Sequence, residues 1–355
     1  RISQMTFTCV LLLFYVQVST SSPVLNTLTK PSVPLKCPAC QNSTLCGAKY
    51  EVFPGHTACK PKSSDARPHI VMTDAERDAI VRHHNELRGS VNPKAANMLL
   101  LRWDKELEML AKRWADVCIF QHDRVRIIPG RFHVGQNLAW GSFPTFKAAT
   151  DAWFAEKDDY APYFGTRLEH FPEGKQIGHY TQIAWAETSL IGCSSAKCGN
   201  TNYYVCNYAP GGNVTPFTKP YIPATTSGEM CKTRTQDGLC DCGNLDCENM
   251  SEINVTSCTC NCGAATQAPP HCTLDCSKSD DFYCGTQESF KLSQCHQPFV
   301  VSRCPHLCGI CPCGEQKYRN VMCNGASKSY GSSKIFLLMT GVSGFAITLR
   351  VRFSV

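Results

Sequence analysis

Gly178-His179-Tyr180-Thr181-Gln182-Ile183-Ala184-Trp185 opens the stretch on which the fold turns, and Tyr203-Tyr204-Val205-Cys206-Asn207-Tyr208-Ala209-Pro210-Gly211-Gly212-Asn213 closes it. In its first part Ile177, His179, Thr181, Ile183 and Trp185 fall on alternate positions. Period 2 with β-branched and aromatic residues predicts a half-buried strand. Asn202 to Tyr208 reads as a second strand, stopped by Pro210-Gly211-Gly212. Cys193 and Cys198 lie between the two, and Cys206 lies inside the second. The residues therefore point to a paired, cross-linked sheet that carries a histidine.

Working outward, helices flank this sheet. Thr73-Asp74-Ala75-Glu76 is a capping box that starts a helix running through Arg88. His84 shares a face with Ile80 and Leu87, which makes it a structural histidine. Leu107, Leu110, Ala111, Trp114, Ala115 and Cys118 recur at helical spacing behind Asp104, a suitable N-cap. His122 follows just past that helix. Arg131 to Trp140 reads as a strand containing Gly135-Gln136-Asn137-Leu138. Phe146, Ala149, Thr150, Trp153 and Phe154 mark a third helix. Glu156 lies at the edge of its apolar face, which reads as a solvated flank in preference to a group aimed into a cleft.

The 355 residues allow two or three domains, and 43% hydrophobic content supports at least one core. The net charge of +6 is spread without a basic run, which argues against nucleic acid as a partner. The 25 cysteines imply an oxidising compartment. Residues 5–22 hold the apolar run Phe7–Val18 and then Ser19-Thr20-Ser21-Ser22, a secretory signal peptide. Cys9 belongs to it, and the other 24 cysteines permit twelve bridges. Residues 23–72 form a cysteine-containing N-terminal segment. Its Cys37-x-x-Cys40 and His56-x-x-Cys59 have zinc-like spacing, but disulfides are preferred in an exported chain.

Beyond a globular domain at 73–222, residues 223–230 read as a linker. Residues 231–272 are dense in cysteine and poor in large apolar side chains, so bridges must hold them. Residues 273–313 form a second cysteine-rich unit. In the tail, 314–355, Ile335–Leu349 is apolar but too short to span a bilayer. Asn324-Gly325-Ala326 ahead of it is similar to a lipid-anchor signal, against which Arg350 and Arg352 speak. Asn42, Asn213, Asn249 and Asn254 begin glycosylation sequons, and Asn213 is the weakest because Pro216 follows its Thr215.

The two halves of the opening stretch resemble the paired motifs of the CAP superfamily: cysteine-rich secretory proteins, insect antigen 5 and plant pathogenesis-related proteins. The resemblance covers roughly Asp74 to Tyr221. It implies an α/β fold, a three-layer α/β/α sandwich, with Cys118 paired to Cys198 and Cys193 to Cys206. It also implies a cleft lined by His122, Gln136, Glu156 and His179. Two imidazoles beside a carboxylate suit a divalent ion such as zinc, held weakly by His122 and His179; no cofactor is required. Gln136 stands where the family has an acid, which removes a negative charge and a proton acceptor. Neither a Gly-x-Ser-x-Gly elbow nor a His-Glu-x-x-His helix occurs. A non-enzymatic cleft is therefore expected.

Cys276, Cys284, Cys295, Cys304, Cys308 and Cys311 resemble a ShK-type toxin module, which implies the pairs Cys276–Cys311, Cys284–Cys304 and Cys295–Cys308. His296-Gln297-Pro298-Phe299-Val300-Val301 has no lysine, which speaks against direct plugging of a potassium pore. Together these resemblances imply a secreted, venom- or allergen-like effector. It would act by binding an extracellular channel or immune receptor through a disulfide-rich scaffold. The alternatives are a sterol or lipid carrier and, behind it, a metal-assisted hydrolase using the cleft. Membrane contact is expected only if the tail is an anchor signal.

Overall fold

The structure, a computed structural model, describes Cys46, Tyr50, residues 53–285, 290–295 and 297–311, and the backbone of two paired strands at 338–340 and 346–348. The expected signal peptide, the sequon at Asn42 and the expected lipid-anchor motif at Asn324 lie outside the described residues. The sheet is built on β5 (Leu190–Cys198) and β6 (Thr201–Ala209), an antiparallel hairpin in which Cys193 faces Cys206. Gly199 supplies the positive φ of +59° that its two-residue turn needs. β4 (Gly135–Gly141) pairs with the other side of β6 and forms one edge. On the far side of β5, β1 (Ala66–Pro68) runs antiparallel and β3 (Arg102–Trp103) parallel to it.

Alternation along the strands separates two cores. Tyr204, Cys206 and Tyr208 face α1 (Asp74–Gly89), α3 (Phe146–Ala155) and α5 (Gly178–Ile183). Tyr203 and Val205 face α2 (Lys105–Ala115), with Ala111, Trp114 and Leu138. The chain thus forms the three-layer α/β/α sandwich. The helix starts follow their sequence signals. Thr73 Oγ1 accepts from Glu76 N at 3.2 Å, and Asp104 Oδ1 accepts from Glu106 N and Leu107 N, both at 2.8 Å.

Three readings of the sequence need correction. Gly178–Ile183 is a helix, not a strand. Tyr180, Thr181, Gln182 and Ile183 are all buried, so no single face sets a period. Arg131 to Val134 is not strand: Ile128 N and Phe132 N bond across to Phe132 O and Ile128 O in a tight turn, and β4 begins at Gly135. The supposed linker at 223–230 is docked. β7 (Pro223–Ala224) pairs with β2 (Lys94–Ala95), and Gly228 N and Met230 N donate to Ala95 O and Ala96 O.

The cysteine-rich half is likewise packed onto the sandwich. Cys240 exchanges backbone bonds with Met98 and Leu100, and Leu99, Cys240 and Val255 form a small shared core. Arg131 spans the boundary, reaching Asp104 at 3.1 Å and Glu106 at 2.8 Å on one side and Glu248 at 3.3 Å on the other. In the last module, α6 (Pro298–Arg303) brings Val300 and Val301 onto Phe53 and Ile127. Ten disulfides are present among the described residues. Two are Cys118–Cys198 and Cys193–Cys206 in the sandwich, and one is Cys46–Cys59. Cys231–Cys240, Cys242–Cys258, Cys247–Cys260 and Cys262–Cys272 follow. Cys276–Cys311, Cys284–Cys304 and Cys295–Cys308 close the last module. Each typically contributes about 2–4 kcal/mol by restricting the unfolded chain. Among the described residues, no helix is long and apolar enough to cross a membrane.

Candidate functional site

The four predicted residues form two pairs about β4, the edge strand: His122 contacts Gln136, and Glu156 contacts His179, while His122, Glu156 and His179 do not converge as a three-donor group. Gln136 points to the α2 face, where its Nε2 donates to Asn207 Oδ1 at 3.1 Å. Asn207 Nδ2 in turn donates to Leu107 O at 3.3 Å. This relay turns Gln136 Oε1 toward His122 Nδ1, 2.9 Å away. An amide oxygen only accepts, so His122 carries its proton on Nδ1 and its lone pair on Nε2. His122 is an exposed residue whose Nδ1 side is held against Gln136. Desolvation of that side pushes its pKa down against the Gln136 bond, and Arg126 and His179 add to the fall.

Glu156 and His179 approach from the opposite face. Glu156 caps the end of α3 ahead of the short α4 (Lys157–Tyr160), and its side chain is 11% exposed, so it is not a solvated flank. Its Oε1 lies 2.6 Å from His179 Nδ1, and its Oε2 accepts from His179 N at 2.9 Å and Tyr180 N at 3.2 Å. The carboxylate thus satisfies first-turn N–H groups of α5 and fixes the ring at once. This capping is the reason the segment coils, and periodicity could not reveal it because the cap comes from another element. The His179 ring stacks on Trp153 at 6.0 Å, and Asn137 Nδ2 donates to His179 O at 3.1 Å.

Sequence reasoning passed over Asn137 and Asn207, the amides that support both halves of the site. They lie opposite Cys206 and Gln136 in the β4–β6 register, so a strand alignment would have found them. His84 has the structural role read from its face: its Nδ1 donates to Ile80 O at 2.9 Å, and its Nε2 accepts from Tyr208 OH at 3.0 Å.

Burial pushes the His84 pKa down to about 3 and that of His133 to about 4. Both rings are neutral in the fold and take up protons more readily unfolded. Stability is therefore complete above about pH 6.5 and declines as pH falls toward those lowered values, by about 1.4 kcal/mol per unit for a fully buried ring. The urea midpoint is expected to drop between pH 6.5 and 5. His84→Gln, weaker at neutral pH, should show a shallower drop.

A separate cavity lies away from this cleft. About 450 Å³ in volume, it is an open apolar groove between Pro68–Met72 and α2, lined by Ile70, Met72, Met109 and Ser195. Its cations are matched by acids: Arg77 to Asp74 and Glu108, and Lys112 to Asp116. Of the metal-type donors elsewhere among the described residues, Asp280, Cys284 and Cys304 cluster, but the two cysteines are bonded to each other. The sequons also change meaning. Asn249 is 3% exposed with Nδ2 donating to Cys272 O at 2.7 Å, so the fold has no room for a glycan there. Asn213 Nδ2 donates to Gly178 O at 2.8 Å. Asn254 Oδ1 accepts from Thr256 N at 3.0 Å, and this part-exposed residue has no such burial of its amide nitrogen.

Comparison with known proteins agrees with this architecture. The profile of the Cysteine-rich secretory protein family, CAP, matches residues 81–208. Cysteine-rich venom protein Mr30 of Conus marmoreus is 34% identical over 284 residues, 75% of this chain and 91% of that one. A cysteine-rich venom protein of Conus textile is 35% identical over 289 residues, 75% and 90% of the two chains. The crystal structure of Na-ASP-1 is 31% identical with a TM-score of 0.41, and this chain spans 51% of its length with 51% of its own. The motif pair, the cross-linked sandwich and these relatives together mean that the chain belongs to the cysteine-rich secretory protein (CAP) family.

Proposed function

We propose that this is an exported, venom-type effector that works by binding an extracellular channel or receptor, with the cysteine-rich half as its target-facing part. The observation that carries the reading is the fusion of that half to the sandwich by β2–β7 pairing, the Arg131 bridge and a disulfide-locked surface. A surface already rigid loses little entropy on binding. The leader at residues 5–22, the disulfide density and the venom-protein relatives support an extracellular location.

The cleft fits a divalent ion only weakly. His122 and His179 each offer Nε2, but Gln136 brings no charge, so zinc would be held by two imidazoles with Glu156 behind one of them. Bound zinc would supply Lewis acidity; the chain's own part is to fix two ring orientations. Gln136→Glu is expected to tighten zinc binding about tenfold by calorimetry, and His179→Ala to abolish it. With Gln136 in the place of an acid, the site lacks one of the carboxylates that would take a proton from an attacking water, and the reading here is non-catalytic. A second reading, carriage of a sterol or fatty acid, has one observation in its favour, the apolar groove beside α2.

The test uses labelled full-length protein on membranes from excitable tissue. Saturable binding that is lost when the membranes are treated with protease, and kept in His179→Ala, is expected. Turnover of a peptide or ester substrate that disappears in His179→Ala would overturn the proposal.

A further inference from the structure

Three sequons fall among the described residues, and the fold treats their asparagines differently. Asn254-Val255-Thr256 lies at the tip of a hairpin between β8 (Glu252–Asn254) and β9 (Thr259–Asn261), where Asn254 is opposite Thr259. Val255, 8% exposed, turns inward and joins Leu99 and Cys240 in the core shared with the sandwich. Its neighbours turn outward: Asn254 is part-exposed and Thr256 is exposed. Asn254 Oδ1 accepts from Thr256 N at 3.0 Å, Thr256 Oγ1 at 2.6 Å and Ser257 N at 3.3 Å. Three donors on one oxygen close an Asx turn and fix the amide. Asn254 Nδ2 makes no hydrogen bond among the described residues and reaches solvent. The tip itself is held: Cys258 N donates to Asn254 O at 2.7 Å, Lys232 N donates to Val255 O at 2.8 Å, and Cys258 is bonded to Cys242. A group attached at Nδ2 therefore stands in water on a fixed turn.

The other two asparagines are committed to the fold. Asn249 Nδ2 donates into the interior, to Cys272 O, while its main chain donates to Arg131 O at 2.6 Å and accepts from Gln267 Nε2 at 2.7 Å. A sugar on this buried side chain would force the cysteine-rich half off Arg131. Asn213 uses both ends of its amide, Nδ2 on Gly178 O and Oδ1 accepting from Thr181 Oγ1 at 2.7 Å, so a sugar there would meet the start of α5. Sugar transfer to asparagine precedes folding, so burial does not hide these sites from the enzyme. It decides which modified chains can reach this structure.

We propose that Asn254 carries an N-linked oligosaccharide, and that among the described residues it alone does so in the folded protein. The transfer joins Nδ2 to the anomeric carbon of a sugar carried on a lipid diphosphate. The N–C bond forms as the C–O bond to the diphosphate breaks, the diphosphate leaves with that electron pair, and Nδ2 gives up one proton. The inference rests on the reading that the chain is exported, since transfer takes place in the secretory pathway. It also narrows that reading: a branched sugar on this tip covers the hairpin, so a target meets the cysteine-rich half elsewhere.

The experiment uses full-length protein secreted by cultured mammalian cells. It is digested with peptide N-glycosidase in heavy-oxygen water, and its peptides are read by mass spectrometry. Conversion of Asn254 to heavy-oxygen aspartate is expected, with Asn213 and Asn249 unconverted. Asn254→Gln and Thr256→Val should each remove the mass of a single glycan from the intact protein. The second variant keeps the asparagine, which separates loss of the sequon from loss of the side chain. Secreted protein with Asn254 unmodified, or folded protein with sugar on Asn249 or Asn213, would overturn the inference and leave the proposed function standing. Protein held in the cytosol with free thiols would overturn the export reading and the inference with it. A glycan on Asn254 in protein that finds no protease-sensitive tissue target would uphold the inference and sink the proposed function.

Discussion

Replacing Arg88 with methionine is expected to destabilise the protein by at least about 3 kcal/mol, enough to show as a large fall in urea midpoint and in secreted yield. Arg88 is 1% exposed and has no carboxylate partner among the described residues. Its charge is held by carbonyls alone: Leu99 O at 2.6 Å, Ile183 O at 2.7 Å, Trp185 O at 2.8 Å and Thr188 O at 2.9 Å. Burial pulls its pKa down, yet the ring of acceptors keeps the cation in place. Methionine fills similar space but leaves buried acceptors without donors, each costing about 1–3 kcal/mol. Removal of a desolvated charge returns only part of that. Three of these carbonyls lie on the segment leaving α5, so the variant should also lose the fixed orientation of His179 and bind zinc less well.

Gly192→Ala is expected to be as damaging, for a steric reason. A Cβ there would sit 2.2 Å from Glu108 N and 2.6 Å from Asp104 O and Leu107 C. All three are backbone atoms at the start of α2, and no side-chain rotation relieves them. Either the helix moves off the sheet or β5 bends, at a cost of roughly 3 kcal/mol or more. Gly178→Ala is the comparison. Its nearest neighbours are 3.8 Å away, and it begins a helix, so a change within about 1 kcal/mol is expected. Thermal unfolding of the two variants separates close packing from mere membership of the motif.

The contrast between those glycines shows where the sequence was readable. Helix starts at Thr73 and Asp104 could be read because a cap is a local event of a few residues. The hairpin strand Thr201–Ala209 could be read because aromatic alternation faces two different cores. Gly178–Ile183 misled because it is buried on all sides and its cap, Glu156, arrives from twenty-odd residues away. The same fact misplaced Glu156: its position on the helical wheel of α3 points to solvent, but it ends the helix and turns in to meet α5. The docked segment at 223–230 looked like a linker because it is one proline followed mostly by small and polar residues, while its partner, Lys94–Ala95, is over a hundred residues earlier. Within the site, the four residues were legible only through the family resemblance. The amide relay from Leu107 O through Asn207 and Gln136 to His122 needs the β4–β6 register, which no short pattern encodes.

One comparison decides whether the working surface is the cysteine-rich half or the histidine cleft. Binding of full-length protein to excitable-tissue membranes is to be measured side by side for wild type, His179→Ala and Phe282→Ser, the last at a ring of the cysteine-rich half that is 87% exposed. Weakened binding in Phe282→Ser with unchanged binding in His179→Ala is the predicted result. Unchanged binding in Phe282→Ser together with loss in His179→Ala would contradict it and move the function into the cleft.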